Sequence, residues 1–148
     1  MKTRHLILLV LTIAIQSAAY AANITGKAVF EGIAPESAKV NFSADPNCAA
    51  LHPDGLLSEE VVVNSNGTLK NVFVYVKEGL EGKTFSPPTE PAVLDQKGCW
   101  YEPHVFGIQV NQPLEIINSD NTLHNVHSLA AENKGFNLGM PIQGMKLR

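Results

Sequence analysis

Leu114-Glu115-Ile116-Ile117-Asn118-Ser119-Asp120-Asn121-Thr122-Leu123-His124-Asn125-Val126-His127 decides how this chain is read. Leu114 to Asn118 begins with the apolar–polar alternation of a half-buried strand. Asn118 to Thr122 is a polar loop, and its Asn and Asp side chains can bond back to local backbone and shape the turn. Asn125 to Leu129 reads as the next strand. A loop between two strands therefore delivers His124 at the end of a sheet. His127 lies three residues on, and on a regular strand an odd spacing puts two side chains on opposite faces. The two histidines can share an ion only if the strand starts after His124 or carries a bulge.

The rest of the chain repeats this all-β pattern. Ile24 to Phe30, Lys39 to Phe42 and Val61 to Val63 read as strands. Asn64-Ser65-Asn66-Gly67 is a turn signal, because Asn-Gly accepts positive φ. With Leu69 to Lys77 beyond it, the flanking runs predict a hairpin. Asp45 to Gly55 reads as a loop rich in Asp, Asn, Pro and Gly, and Glu78 to Pro91 as a linker-like loop. Ala92 to Asp95 is short and ambiguous. Cys99 to Tyr101 and Val105 to Val110 look like strands broken at Pro103, and Phe136 to Leu138 like a further short one. Met140 to Arg148 shows no clear period. No segment of useful length has helical period, and no repeat is present. Many short strands separated by turn signals predict one domain, a sandwich or partly closed barrel.

The N-terminus reads as an export signal, residues 1–21. Lys2 and Arg4 form a positive start, and Leu6 to Ile15 is far shorter than the roughly 20 apolar residues that span a bilayer. Ala19-Tyr20-Ala21 fits the small-x-small cleavage rule. The expected domain is residues 22–148, in the periplasm or outside the cell, with no membrane association after cleavage. Removing Lys2 and Arg4 from the 11 basic residues leaves nine against 14 acidic ones. An acidic chain without a basic cluster is a poor partner for nucleic acid. Export implies an oxidising compartment, and Cys48 and Cys99 read as a disulfide. The rival is that Cys99 is a metal thiolate, in a Cys99-x4-His104 loop.

Two blocks carry a family resemblance. Cys99-Trp100-Tyr101-Glu102-Pro103-His104-Val105 precedes Asn118-Ser119-Asp120…His124-Asn125-Val126-His127. Asp45-Pro46-Asn47-Cys48, Gly67 to Val72 and Gln112-Pro113-Leu114 come with them. Together they resemble the cupredoxin (plastocyanin-like) family, in the exported branch often described as methylamine-utilisation or cupredoxin-domain proteins. The resemblance implies a Greek-key β-sandwich, copper as cofactor, electron transfer, and a periplasmic redox protein as partner. It places His124 as the first histidine ligand, with Asn118, Asp120 and Asn125 as residues that support it by hydrogen bonds. His127 and His104 are further candidates for the metal.

The family pattern also requires a later loop with Cys, His and Met, and no Cys or His follows His127. The expectation is therefore a domain incomplete at its C-terminus, with the type 1 copper site incomplete in this chain. Two alternatives stand beside it. One is a metal-free β-sandwich serving as a binding or structural module. The other is a periplasmic copper carrier using His124 or His127 with the soft thioethers of Met140 and Met145. Enzyme signatures are absent: there is no phosphate loop, no Gly-x-Ser-x-Gly elbow and no His-Glu-x-x-His. Cys-x-x-Cys-His is missing too, which excludes a c-type haem. The expectation is that the protein is not an enzyme.

Overall fold

The computed structural model describes residues 24–148. The expected export signal and its cleavage site lie outside the described residues. The described chain is mostly β, with two sheets and one short helix. The helix α1 spans Pro46–Leu51; the strands are β1 (Ala92–Gln96), β2 (Tyr101–Glu102), β3 (Leu114–Asn118), β4 (His124–Ser128), β5 (Phe136–Met140) and β6 (Lys146–Leu147). One sheet has the order β2-β1-β3-β6, and the other is the pair β4-β5. β1 and β3 run parallel, with Ala92 opposite Leu114 and Gln96 opposite Asn118. The other pairs are antiparallel.

The core is small and draws on both sheets. Ile116 of β3 packs with Val126 of β4 and Met140 of β5, and Leu94, Leu114, Phe136, Met145 and Leu147 close around them. Glu115 neighbours Ile116 on β3 and so takes the other face. There its carboxylate receives Arg148 Nε at 3.0 Å and Lys146 Nζ at 3.3 Å. These two hydrogen bonds, Arg148 first, hold the Glu115 carboxyl below its ordinary value. They also fasten β6 to β3. The ambiguous segment at Ala92 is thus a central strand, and the aperiodic C-terminal stretch contains an edge strand.

Asp45 to Gly55 is not all loop. Asp45 caps α1, its Oδ1 accepting from the N–H groups of Asn47 at 2.8 Å and Cys48 at 3.3 Å. Pro46 opens the first turn. An Asp cap followed by Pro at the first helical position is a helix-start signal, and Ala49-Ala50 extends it. Only one turn and a half forms, too short for a periodic apolar face.

The expected N-terminal strands reduce to isolated bridges: Val29 with Thr68, Lys39 with Leu57, and Val63 with Leu69. The hairpin tip is present, with Gly67 N–H bonded to Asn64 O at 2.8 Å and Gly67 at φ +79°. Ile24 to Phe30, Lys39 to Phe42, Val72 to Val76 and Val105 to Val110 form no ladder. Their side-chain pattern suits strands, but a strand exists only where a neighbour takes its N–H and C=O groups. Val74 and Tyr75 stand mostly exposed instead.

Candidate metal centre

The loop from β3 to β4 is built around two buried side chains. Asn118, fully buried, donates from Nδ2 to Thr122 O at 2.9 Å and to Met140 O at 2.7 Å. Its Oδ1 accepts the Asp120 N–H at 2.9 Å. Asn118 therefore ties the loop to itself and to the end of β5. Ser119 Oγ donates to the Asp95 carboxylate at 2.7 Å, and Ser119 N–H to Gln96 O at 2.9 Å. Thr122 Oγ1 reaches Asp45 Oδ2 at 3.3 Å, tying the loop to the cap of α1.

Asp120 is the hub. Its Oδ1 accepts the Gly98 N–H at 2.8 Å, and its Oδ2 accepts the Cys99 N–H at 2.7 Å. The two N–H groups converge because Gly98 and Cys99 both sit in the left-handed region, at φ +64° and +56°. Cys99 carries a Cβ there, a conformation costing an L residue of order 1–3 kcal/mol and kept where its surroundings enforce it. Asp120 Oδ2 also meets His124 Nε2 at 2.7 Å. Burial by itself pushes the Asp120 carboxyl up. The Cys99 N–H, the His124 ring and the Gly98 N–H together outweigh it and hold the group below its ordinary value. Asp120 is thus ionised at neutral pH, and an ionised carboxylate can only accept. The hydrogen between the two must therefore sit on His124 Nε2, so Nδ1 is the nitrogen that can accept when the ring is neutral.

His124 also lines a cavity of about 240 Å³ with Gln96, Cys99, Trp100, Tyr101, His104 and Asn125. His104 stacks on Trp100 with ring centroids 5.4 Å apart. Tyr101 Oη donates to Asn125 O at 2.9 Å, and burial raises the Tyr101 phenol above its ordinary value. The sequence blocks around Cys99 and around His124 thus meet at one place.

The expected site residues divide. His124 and His104 share the cavity. His127 does not line it: β4 begins at His124 and runs regularly against β5, with His124 opposite Met140 and His127 opposite Asn137. His127 is exposed on the other face. Asn125 Nδ2 donates to Asn137 Oδ1 across the strand pair at 2.6 Å, rather than bracing the His124 loop. Cys48 and Cys99 form the expected disulfide, so Cys99 in this state is not the thiolate of a Cys99…His104 copper loop. Met140 is fully buried, and its sulfur accepts a hydrogen bond from Gln96 Nε2 at 2.9 Å. His52 lies apart from the cavity, stacked on Phe42 and bonded to Gly98 O at 2.6 Å.

Sequence reasoning missed the direct Asp120–His124 contact, although the Asp-x-x-x-His spacing was visible. It also missed Gln96, Trp100 and Tyr101 as cavity residues, which only the β1–β2 turn brings into place. Among the described residues no helix is long and apolar enough to cross a membrane. No family model matches the chain, and no curated protein or solved structure matches it either.

Proposed function

We propose that this is an exported, periplasmic copper-binding protein with a cupredoxin-like Greek-key sandwich, in which His124 supplies the principal ligand. One observation carries this reading. Buried Asp120 holds His124 through Nε2 at 2.7 Å, so Nδ1 is the nitrogen open to a metal, and His124 lines a cavity together with His104. A histidine whose second nitrogen donates to a carboxylate is the usual arrangement of a metal ligand, because it fixes both tautomer and ring orientation. The donors in the oxidised chain are imidazoles, which suit Cu²⁺. A type 1 site would need a thiolate, and both cysteines are committed to the disulfide. The role is binding rather than catalysis, with a periplasmic redox protein as the exchange partner.

A metal-free structural or binding module has one observation in its favour. Among the described residues no buried side-chain nitrogen or oxygen lacks a hydrogen-bond partner, so the Asp120–His124 pair serves as a loop clamp without any ion. A His/Met copper carrier has less support, since Met140 is enclosed and Met145 packs against the core.

Calorimetric titration of the oxidised protein with Cu²⁺ separates these. Copper binding predicts one equivalent bound, affinity lowered at least tenfold in His124→Ala and less in His104→Ala, and no change in Met145→Leu. An affinity unaltered by His124→Ala removes the copper assignment and leaves the metal-free module.

A further inference from the structure

Cys99, Asp120 and His124 each offer a donor atom, and these atoms lie within 4.8 Å of one another. They come from two separate segments, the β1–β2 turn and the β3–β4 loop. We propose that reduction of the Cys48–Cys99 disulfide creates a second metal site, made of Cys99 Sγ, the Asp120 carboxylate and His124 Nε2. It would take a divalent ion of the zinc class.

The donor set carries the assignment. Thiolate, imidazole and carboxylate are the three side-chain ligands of zinc, at about 2.3, 2.0 and 2.0–2.2 Å. Around a tetrahedral ion such donors stand roughly 3.3–3.5 Å apart. The widest pair must therefore close by up to about 1.5 Å from the 4.8 Å limit, while Asp120 and His124, now 2.7 Å apart, must open slightly. The backbone beneath them is already fixed without the disulfide, since Asp120 binds the N–H groups of Gly98 and Cys99 directly. Asn118 in turn fixes Asp120. Breaking the S–S bond frees the Cys99 side chain to rotate while its main chain stays beside the other two ligands. Cys48 sits on α1 and is not one of the three donors. Three protein donors leave a fourth position for water or a small ligand.

The chemistry balances with an exogenous dithiol as reductant. Two electrons and two protons pass from the dithiol to the disulfide, giving the Cys48 and Cys99 thiols and an oxidised dithiol. The ion then displaces the Cys99 thiol proton to solvent. The hydrogen on His124 Nε2 moves to Nδ1, so the ion stands where Asp120 and His124 shared it. That step removes the Nδ1 acceptor used in the copper assignment, and the disulfide would decide which of the two sites exists. The two proposals share His124 and no other ligand, so either can fail alone.

Co²⁺ is the probe, because thiolate-to-cobalt charge transfer reports sulfur ligation. Cys48→Ser, which leaves Cys99 as a free thiol, is expected to develop that absorption and saturate at one equivalent. The oxidised protein and Cys99→Ser are expected to show none. Adding Asp120→Asn or His124→Ala to Cys48→Ser should weaken Co²⁺ binding at least tenfold. Circular dichroism checks the fold of each variant. If Cys48→Ser loses its β spectrum, the natural chain is reduced with a phosphine, freed of it and titrated instead. Absence of the charge-transfer band, an equal band in Cys99→Ser, indifference to Asp120 and His124, or failure of both reduced forms to fold with Co²⁺ present would each overturn the proposal. Loss of Cu²⁺ binding to the oxidised chain bears only on the copper assignment.

Discussion

Replacing Asn118 with Ala should be among the most damaging single changes outside the apolar core. The side chain is fully buried and makes three hydrogen bonds, to Thr122 O, Met140 O and the Asp120 N–H. Alanine removes all three at once while the main-chain groups stay in place. A typical hydrogen bond contributes about 1 kcal/mol net, and a buried group left unpaired costs about 1–3 kcal/mol. The expected loss is therefore about 3–5 kcal/mol, a large share of the 5–15 kcal/mol by which domains are usually stable. Urea unfolding of the oxidised protein, followed by circular dichroism, measures it as a lower midpoint. Asn118→Asp serves as the isosteric control. It keeps an acceptor for the Asp120 N–H but sets a carboxylate against two carbonyl oxygens, so its loss should be at least as large. A loss below about 1 kcal/mol in Asn118→Ala would refute the idea that this amide organises the loop, because then water or a shifted backbone replaces it freely.

Two further effects should be measurable. Reducing the Cys48–Cys99 disulfide, whose cysteines are 51 residues apart, should lower the unfolding free energy by about 4 kcal/mol on the chain-entropy model; unfolding with and without reductant checks this. Asp120 should contribute acid sensitivity. Its folded carboxyl lies below the ordinary 3.8, so the unfolded chain takes up this proton first as pH falls. The stability it adds is fully present above the ordinary value and is lost as pH drops through the depressed one. Asp120→Asn should therefore narrow its deficit against the natural protein as pH falls from about 5 toward 2. A deficit constant across that range would show that the group does not titrate as described.

The segment from β3 to β4 was legible because its signals are local. Leu114 to Asn118 carried a strand pattern, and Asn118 to Thr122 carried turn chemistry, which Asn118 uses on the local Asp120 N–H and Thr122 O while Asp120 binds the distant N–H groups of Gly98 and Cys99. The even number of cysteines, in a chain whose N-terminus reads as an export signal, pointed to the pairing that forms. The N-terminal half was not legible to the same degree. Val72-Phe73-Val74-Tyr75-Val76 has the composition of a strand, but strand formation depends on a partner that no local pattern reveals. The helix at Pro46 was hidden by length, since six residues give no period, although Asp45-Pro46 marked its start. At the site, His124 stood out by its context. The cavity did not, because Gln96, Trp100 and Tyr101 reach it through a turn whose two left-handed residues include a cysteine, which sequence gives no reason to expect in that conformation. His127 illustrates the reverse. It was kept as a further candidate ligand, yet strand periodicity sets it on the face away from His124, and the regular β4–β5 register puts it there.

The most direct test of the copper assignment is histidine-ring NMR of the oxidised protein near pH 8, titrated with substoichiometric Cu²⁺. Four rings lie within the described residues, at positions 52, 104, 124 and 127. Before copper, His124 should show the Nε2–H tautomer with Nδ1 unprotonated. On adding copper, the signals of His124 and His104 should broaden first, while those of His127 and His52 stay sharp. If His124 carries its hydrogen on Nδ1, or if His127 or His52 broadens first, the Asp120–His124 pair does not present a copper ligand to the cavity.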